Sequence, residues 1–443
     1  MRTERRDVLA EGRACLQLAG PLVAAQLATV AMGVTDTMFM GALGLDAIAA
    51  GGLAISTFTA ILVAASGLLA PVSPLVAQAS AVGRSDDVRR TVHAGLAVAF
   101  GAALVGEVLV VLVAALLPHL GSPTETVAPT RRFLVALAPT LPAVLAFHVL
   151  RHALVARLHA RVVLLVTVVG VGLNAVFDYA LGFGGFGAPR LGLVGLGLAT
   201  SIASWTMLGF ASLFAHREGL LERRAFDGAE ISRIVRLGAP VAVMFGLEAA
   251  LFAVATFSVG RCGIASLAAH QVVLQTTYAA YMVPQGMSQA AAVRVARAAA
   301  GHDARGVRLA AWTPVYLGVA FMSVAAAAYV VVPRWLAAPY LRLPAADVLV
   351  APQIVSLFAV AAVGQVFDAA QVVAAGALRG LHDTAAPMRV TIAAYGCAGI
   401  PSVIVLGRIF GAAGAWWGIV IGLGVAGSMM LFRLYTRAQP YRL

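Results

Sequence analysis

Residues 21–44 read PLVAAQLATVAMGVTDTMFMGALG, an apolar stretch in which Asp36 is the single charged residue. A transmembrane helix takes roughly 20 predominantly apolar residues. The stretch therefore predicts a helix that crosses a membrane and carries one carboxyl group inside it.

Stretches of this kind recur along the whole chain. Of its 443 residues 61% are hydrophobic and 11% are charged, whereas roughly a quarter are charged in soluble domains. This composition excludes a soluble enzyme, a disordered regulator and a disulfide-stapled secreted module. We predict an all-α integral membrane protein with twelve transmembrane helices. The predicted spans are 14–39, 47–75, 92–118, 131–155, 162–184, 192–215, 234–259, 264–292, 308–332, 348–377, 386–407 and 411–434.

The distribution of arginine predicts the orientation. The net charge is +12, but the basic residues punctuate apolar segments instead of forming one basic surface, which argues against a nucleic-acid partner. With both termini inside, cytoplasmic connections hold 24 of the 31 arginines, as the positive-inside rule requires. We therefore expect a multi-pass protein of the plasma membrane with both termini in the cytoplasm. The seven arginines of the outer connections are Arg131, Arg132, Arg190, Arg261, Arg334, Arg342 and Arg408.

The two halves of the chain repeat. A shift of 219 residues brings Pro21 onto Pro240, in LAGPLVAAQ and LGAPVAVMF, and Gly192 onto Gly411. A constant shift from the first span of each half to the last indicates an internal duplication. Further coincident pairs are Gly41 with Gly260, Gly44 with Gly263 and Gly195 with Gly414.

The duplication predicts two six-helix bundles. An even number of spans makes both repeats enter the membrane from the same side, so a pseudo-twofold axis along the membrane normal relates them. We predict an N-lobe at 1–216, a charged cytoplasmic linker at 217–233 and a C-lobe at 234–443. Duplicated bundles leave a cleft in which transporters hold substrate, which favours transport over a structural assembly.

Acidic residues inside the predicted spans are the main functional candidates, because a charge at bilayer depth costs roughly 2.5–3.5 kcal/mol on insertion scales. In the N-lobe, Asp36 lies in the first span and Asp178 in the fifth, one helical turn after Asn174. Thr200 of the sixth span adds a hydroxyl group. A carboxyl group beside an amide oxygen can hold a proton or coordinate Na⁺. An Asn–Asp hydrogen bond that only packs two helices is the alternative, and Glu107 is a weaker candidate.

The C-lobe contributes Glu248 in the seventh span and Asp368 in the tenth, and neither coincides with an acid of the first half. His270 and Gln271 are candidates for substrate binding or gating. A helix-packing hydrogen bond is the favoured interpretation of His270.

The chain has no P-loop and no room for a nucleotide-binding domain, so we expect an ion gradient to drive transport. We predict no catalytic residues and no cofactor beyond the coupling ion. The three cysteines lie far apart, which excludes a disulfide framework and a C-x-x-C metal site.

Four motifs resemble those of the multidrug and toxic compound extrusion (MATE) family, and its NorM-like branch in particular. The motifs in chain order are PLVAAQLATVAMGVTDTMFMGALG, GFGGFGAPRLGLVGLGLAT, GIASLAAHQV and FDAAQVVAAGALRGLHDTAAPM. The resemblance covers nearly the whole chain. It implies twelve helices in two bundles and the export of organic cations and other drugs against H⁺ or Na⁺.

The resemblance also implies two sites. Asp36, Asn174, Asp178 and Thr200 match the N-lobe ion and proton site of some members. Glu248 and Asp368 match the C-lobe cation site of NorM-like members, and either set is a candidate for Na⁺.

One departure from the family pattern concerns Met32, which stands one turn before Asp36 where some members have tyrosine. Met32 is therefore another candidate for substrate contact or gating. Acids in both lobes leave the choice between H⁺ and Na⁺ open.

Three functions remain as hypotheses. The first is a cation-coupled exporter of small amphipathic or cationic compounds, acting as a monomer among membrane lipids without an obligatory protein partner; export of one specific metabolite fits equally well. The second is a flippase for lipid-linked oligosaccharides, whose anionic substrates require arginines inside the central spans, where Arg151 is the nearest approach. The third is a scaffold or receptor, which does not need acids in both bundles.

Overall fold

The structure is a computed structural model that describes residues 2–119, 124–222, 227–338 and 344–438. Within these ranges all regular secondary structure is helical. The first half contains α1 (Arg2–Leu43), α2 (Leu45–Leu69), α3 (Val72–Ala81), α4 (Ser85–Leu116), α5 (Thr124–Leu137), α6 (Thr140–Ala156), α7 (Ala160–Phe177) and α8 (Leu193–Arg217). The second half contains α9 (Gly228–Gly260), α10 (Ile264–Ala300), α11 (Ala304–Val331), α12 (Pro333–Ala337), α13 (Pro344–Gly380), α14 (Ala385–Thr391) and α15 (Ile400–Ala438).

Two π-helical segments interrupt this pattern in the described part of the chain, and the 219-residue shift makes them overlap partly. Asp178–Gly182 continues α7, and Ile392–Gly399 joins α14 to α15. Short 3₁₀ turns lie at Leu117–His119 and Gly185–Gly187. π-Helical turns inside membrane helices often mark functional positions.

The described helices account for the twelve predicted spans. Among the described residues, nine helical stretches are long and apolar enough to cross a membrane, and α5 with α6, bent by 40°, forms a tenth span. The 37-residue α10 is also long enough to cross, although polar side chains lower its hydropathy. The twelfth span comes from the last of the nine stretches, which is two spans joined end to end.

Gly411 divides that last stretch. Its backbone has φ 63° and ψ −143°, a left-handed conformation that interrupts the helix. On either side the chain packs against itself in antiparallel order, with Gly418 against Val403 and Gly414 against Leu406. The twelve-helix fold predicted from the sequence is therefore confirmed.

The backbone also confirms the duplication. Gly44 has φ 118° and ψ 171°, and Gly263, 219 residues later, has φ 106° and ψ 169°. Gly192 has φ 58° and ψ −134°, nearly the same as Gly411. Equivalent turns adopt equivalent strained conformations because both repeats fold in the same way.

Backbone contacts divide the chain into two compact units. One unit, here the N-unit, comprises Ala24–Ala242, and the other, the C-unit, comprises Met1–Val23 together with Val243–Leu443. The predicted lobes are the bodies expected to move during transport, and their boundaries stay a prediction. Residues 223–226 of the predicted linker, Arg342 of the outer arginines and the tail at 439–443 lie outside the described residues.

Polar contacts explain why the first helix of each half begins in the unit of the other half. In the C-unit, Glu11 of α1 forms a bidentate ion pair with Arg294 of α10. In the N-unit, Glu230 of α9 accepts a hydrogen bond from Thr91 of α4 at 2.9 Å. Glu11 and Glu230 are 219 residues apart, so the duplication extends to these anchoring acids.

We expect Gly418→Ala to destabilise the C-unit. A methyl group at Gly418 would overlap the backbone of Val403, and forced overpacking costs about 1–3 kcal/mol. The matched control is Gly424→Ala, because Gly424 lies in the same helix with no atom within 4 Å of the added carbon. Thermal unfolding in detergent should show a lower midpoint for Gly418→Ala, and an unchanged or higher midpoint for the control. Equal midpoints would contradict the antiparallel packing of the last two spans.

Candidate functional site

Three of the predicted N-lobe residues form one hydrogen-bonded group in the N-unit. The Nδ2 atom of Asn174 lies 2.7 Å from Oδ1 of Asp36 and 2.7 Å from Oδ2 of Asp178. Asn174 and Asp178 are fully buried, and Asp36 is half-buried. One amide group thus donates to two carboxyl groups from different helices.

The local fold explains this arrangement. Asn174 and Asp178 are four residues apart at the end of α7 and share one face of the helix. Asp178 is also the first residue of the π-helical segment. The other side-chain oxygens of Asn174 and Asp178 are buried and lack a hydrogen-bond partner among the described residues. Unpaired buried oxygens are costly, so the group has the capacity to accept a further proton or cation.

The remaining N-lobe candidates are less closely tied to this group. The hydroxyl group of Thr200 donates to the carbonyl oxygen of Leu196 in its own helix, at 3.0 Å. Met32 is half-buried one turn before Asp36, and Glu107 is half-buried on α4. The functional roles predicted for Thr200 and Met32 stay predictions.

The C-lobe acids lie on two helices of the C-unit. Glu248 of α9 lines a cavity, and Asp368 of α13 is buried and accepts a hydrogen bond from Gln371 at 3.3 Å. The two carboxyl groups are close enough to interact electrostatically. The cavity is lined by Met244, Phe245, Glu248, Gln371, Val372, Ala375, Arg379, Thr391 and Tyr395.

Sequence reasoning missed four polar members of this cavity: Gln371, Arg379, Thr391 and Tyr395. The predicted spans put Arg379 in a cytoplasmic connection, and that side of the membrane stays a prediction; in the structure α13 continues to Gly380 and the guanidinium group is buried. Arg379 lies one residue before the end of α13, so its position in the sequence does not show that its side chain is buried. The spacing of Asp368 and Gln371, three residues apart on one helix, was the available signal for Gln371.

His270 belongs to a hydrogen-bonded chain that ties three helices together. The indole nitrogen of Trp416 on α15 donates to Nδ1 of His270 at 3.0 Å. Nδ1 therefore carries no hydrogen, and Nε2 donates to the hydroxyl oxygen of Thr256 on α9 at 2.9 Å. Thr256 in turn donates to the carbonyl oxygen of Phe252.

His270 is fully buried in this chain, which supports the packing interpretation. Gln271, the next residue along α10, is exposed. Its predicted role in substrate contact or gating stays a prediction.

Comparison with known proteins adds to this geometry. The sequence model of the MatE family matches residues 21–180 and 240–405. The two matched segments begin at Pro21 and Pro240, the positions that the internal duplication brings together.

Relatives and solved structures match over nearly the whole chain. A probable multidrug resistance protein NorM of Burkholderia mallei is 35% identical over 432 residues, which cover 95% of this chain and 92% of the relative. A probable multidrug resistance protein NorM of Pseudomonas aeruginosa is 36% identical over 428 residues, which cover 94% of this chain and 88% of the relative. In fold, the chain is similar to the Vibrio cholerae MATE transporter VcmN in the bent form, with a TM-score of 0.86, 16% identity and 98% of both chains covered. The chain therefore belongs to the multidrug and toxic compound extrusion (MATE) family and to its NorM-like branch.

Proposed function

We propose that this protein exports organic cations and related amphipathic compounds from the cytoplasm in exchange for a cation that moves inward. The names of the relatives as multidrug resistance proteins support the class of cargo. The observation that carries the exchange is the bridge from Asn174 to Asp36 and Asp178. Its two carboxyl groups would hold the coupling ion.

We infer that this ion is a proton. Two ionised carboxyl groups at one amide repel each other, and one added positive charge removes that repulsion. A sodium ion would need several oxygen ligands at once, and the amide hydrogens of Asn174 already engage one oxygen of each acid, which leaves fewer oxygens for it. A proton binds to an oxygen without requiring a coordination shell. Na⁺ bound at Asp36, Asn174, Asp178 and Thr200, or at Glu248 and Asp368, is the alternative.

Alternating access between the two lobes would couple the ion to the cargo. A proton that reaches Asp36 from outside would rearrange the N-lobe and release the cargo outward. Its loss to the cytoplasm would reset the transporter. In the C-lobe, Glu248 and Asp368 would supply the negative charge that attracts a cationic cargo.

A flippase for lipid-linked oligosaccharides is the second candidate, and burial of Arg379 is the observation that favours it. An arginine inside a bundle suits an anionic headgroup. However, Glu248 lines the same cavity and Asp368 lies close to Glu248, so acidic groups outnumber this arginine. We therefore favour cationic cargo.

The cellular setting is part of the proposal. The bacterial relatives support a place in the plasma membrane, and the distribution of arginine supports cytoplasmic termini. We propose a monomer that contacts membrane lipids and small-molecule cargo, and that works without nucleic acid or an obligatory protein partner.

We expect Asp36→Asn to abolish ethidium efflux from proteoliposomes under an imposed pH gradient. Asn174→Leu, which has nearly the same shape but no amide group, should lower the initial rate by about tenfold or more, because hydrogen bonds to charged groups are worth about 1.5–3 kcal/mol. The matched control is Glu107→Gln, which removes another intramembrane acid of the N-unit and should change the rate by less than about twofold.

Three results would contradict the proposal. Wild-type efflux driven by a Na⁺ gradient and not by a pH gradient would overturn the inference that the coupling ion is a proton. Equal losses of ethidium efflux in Glu107→Gln and Asp36→Asn would show that the bridged pair of Asp36 and Asp178 is no more important than another intramembrane acid. Transport of an anionic lipid-linked sugar, with no movement of ethidium, would favour the flippase.

A further inference from the structure

Arg379 is a buried cation at the end of α13. Its side chain is 8% exposed, and Nη2 donates a hydrogen bond to the hydroxyl oxygen of Ser288 on α10 at 2.8 Å. Ser288 donates its own hydrogen to the carbonyl oxygen of Val372 at 2.7 Å. These partners satisfy part of the guanidinium group, but they are neutral and leave its charge in place.

The opposite charge comes from the cavity. A guanidinium group stays charged in proteins, and a buried charge requires an opposite charge nearby. Arg379 and Glu248 are the charged residues among those that the structure describes around this cavity, and the two interact electrostatically. Arg379 is therefore a tethered cation beside the acid that the proposed function assigns to cationic cargo.

Three charged side chains determine the net charge at and beside the cavity. Glu248 of α9 and Arg379 of α13 line the cavity, and Asp368 of α13 is a buried acid outside the lining that interacts electrostatically with Glu248. The other titratable groups that interact with Glu248 are phenols, which are neutral at physiological pH: Tyr278 and Tyr281 from α10, and Tyr395 from the second π-helical segment. With both acids ionised, these three groups together carry one net negative charge at and beside the cavity.

We propose that Arg379 determines the charge selectivity of the C-unit cavity. By cancelling one of the two carboxylate charges, it fits the cavity to cargo with one positive charge and disfavours cargo with two. This inference rests on the proposed function, since it requires that Glu248 and Asp368 attract cationic cargo.

Electrostatics gives the expected size of the effect. Even at a separation of about 12 Å, a unit charge in an effective dielectric of about 20 changes the binding of a monocation by about tenfold. The same field acts twice on a dication, so its binding changes by about a hundredfold. The ratio of the two affinities therefore changes by about tenfold, and a variant that only loosens the packing has no reason to change that ratio in favour of the dication.

The test compares the binding of ethidium and propidium to the purified full-length protein in detergent. The two dyes share one chromophore and carry one and two positive charges. We expect the wild-type protein to prefer ethidium, and Arg379→Gln to raise the propidium-to-ethidium affinity ratio by about tenfold. Arg379→Lys keeps the positive charge and should leave the ratio near its wild-type value.

A charge-neutral double variant separates charge from packing. Glu248→Gln combined with Arg379→Gln restores the net charge of the cavity, so its ratio should return to the wild-type value. It keeps the net buried charge of the wild-type protein, so it serves as the test if Arg379→Gln alone does not fold. A ratio raised by about tenfold in this double variant would overturn the proposal.

The remaining outcomes are distinct. A ratio unchanged in a folded Arg379→Gln protein, or raised equally in Arg379→Lys, would overturn the role of Arg379 and leave the proposed function standing. Failure of the wild-type protein to bind ethidium at all would overturn the proposed function, and this inference with it.

Discussion

A carboxyl group inside a membrane protein must find its polar partners within the protein, because the surrounding hydrocarbon offers none. In the N-unit that requirement is met by one amide group, Asn174, which donates to both Asp36 and Asp178. The hydrogen bonds fix the end of α7 against α1, at the point where the π-helical segment begins. Any change of charge on the acids therefore acts on the geometry of two helices at once.

The C-unit meets the same requirement differently. Asp368 accepts a hydrogen bond from Gln371, and Glu248 shares its cavity with Arg379. An amide bridge leaves two acidic charges to be neutralised, whereas a guanidinium group already neutralises one. The two repeats thus share a backbone plan but differ in how much negative charge remains to be neutralised by a bound cation. This difference suits a division of labour in which one unit holds the coupling ion and the other holds the cargo.

The sequence predicted the parts that depend on local composition and on the internal repeat. Hydrophobic length predicted the spans, and the 219-residue shift predicted that Gly192 and Gly411 take equivalent positions in the two halves. The four-residue spacing of Asn174 and Asp178 predicted their shared helix face, and the family resemblance added Asp36 to them.

The sequence did not reveal features that depend on packing between distant segments. Burial of Arg379 follows from the position of α10 against α13, where Ser288 meets the guanidinium group. The start of α1 belongs to the C-unit because Glu11 pairs with Arg294, 283 residues away in the chain. Hydropathy and periodicity describe one helix at a time, and neither can show which distant helix it will meet.

The most direct measurement is the number of protons released when purified protein binds ethidium in weakly buffered detergent solution. If the bridged pair of Asp36 and Asp178 holds the coupling proton, the wild-type protein should release about one proton for each ethidium bound, and Asp36→Asn should release none while still binding the dye. Equal proton release from the wild-type protein and from Asp36→Asn, or dye binding by the wild-type protein with no proton release, would contradict this mechanism.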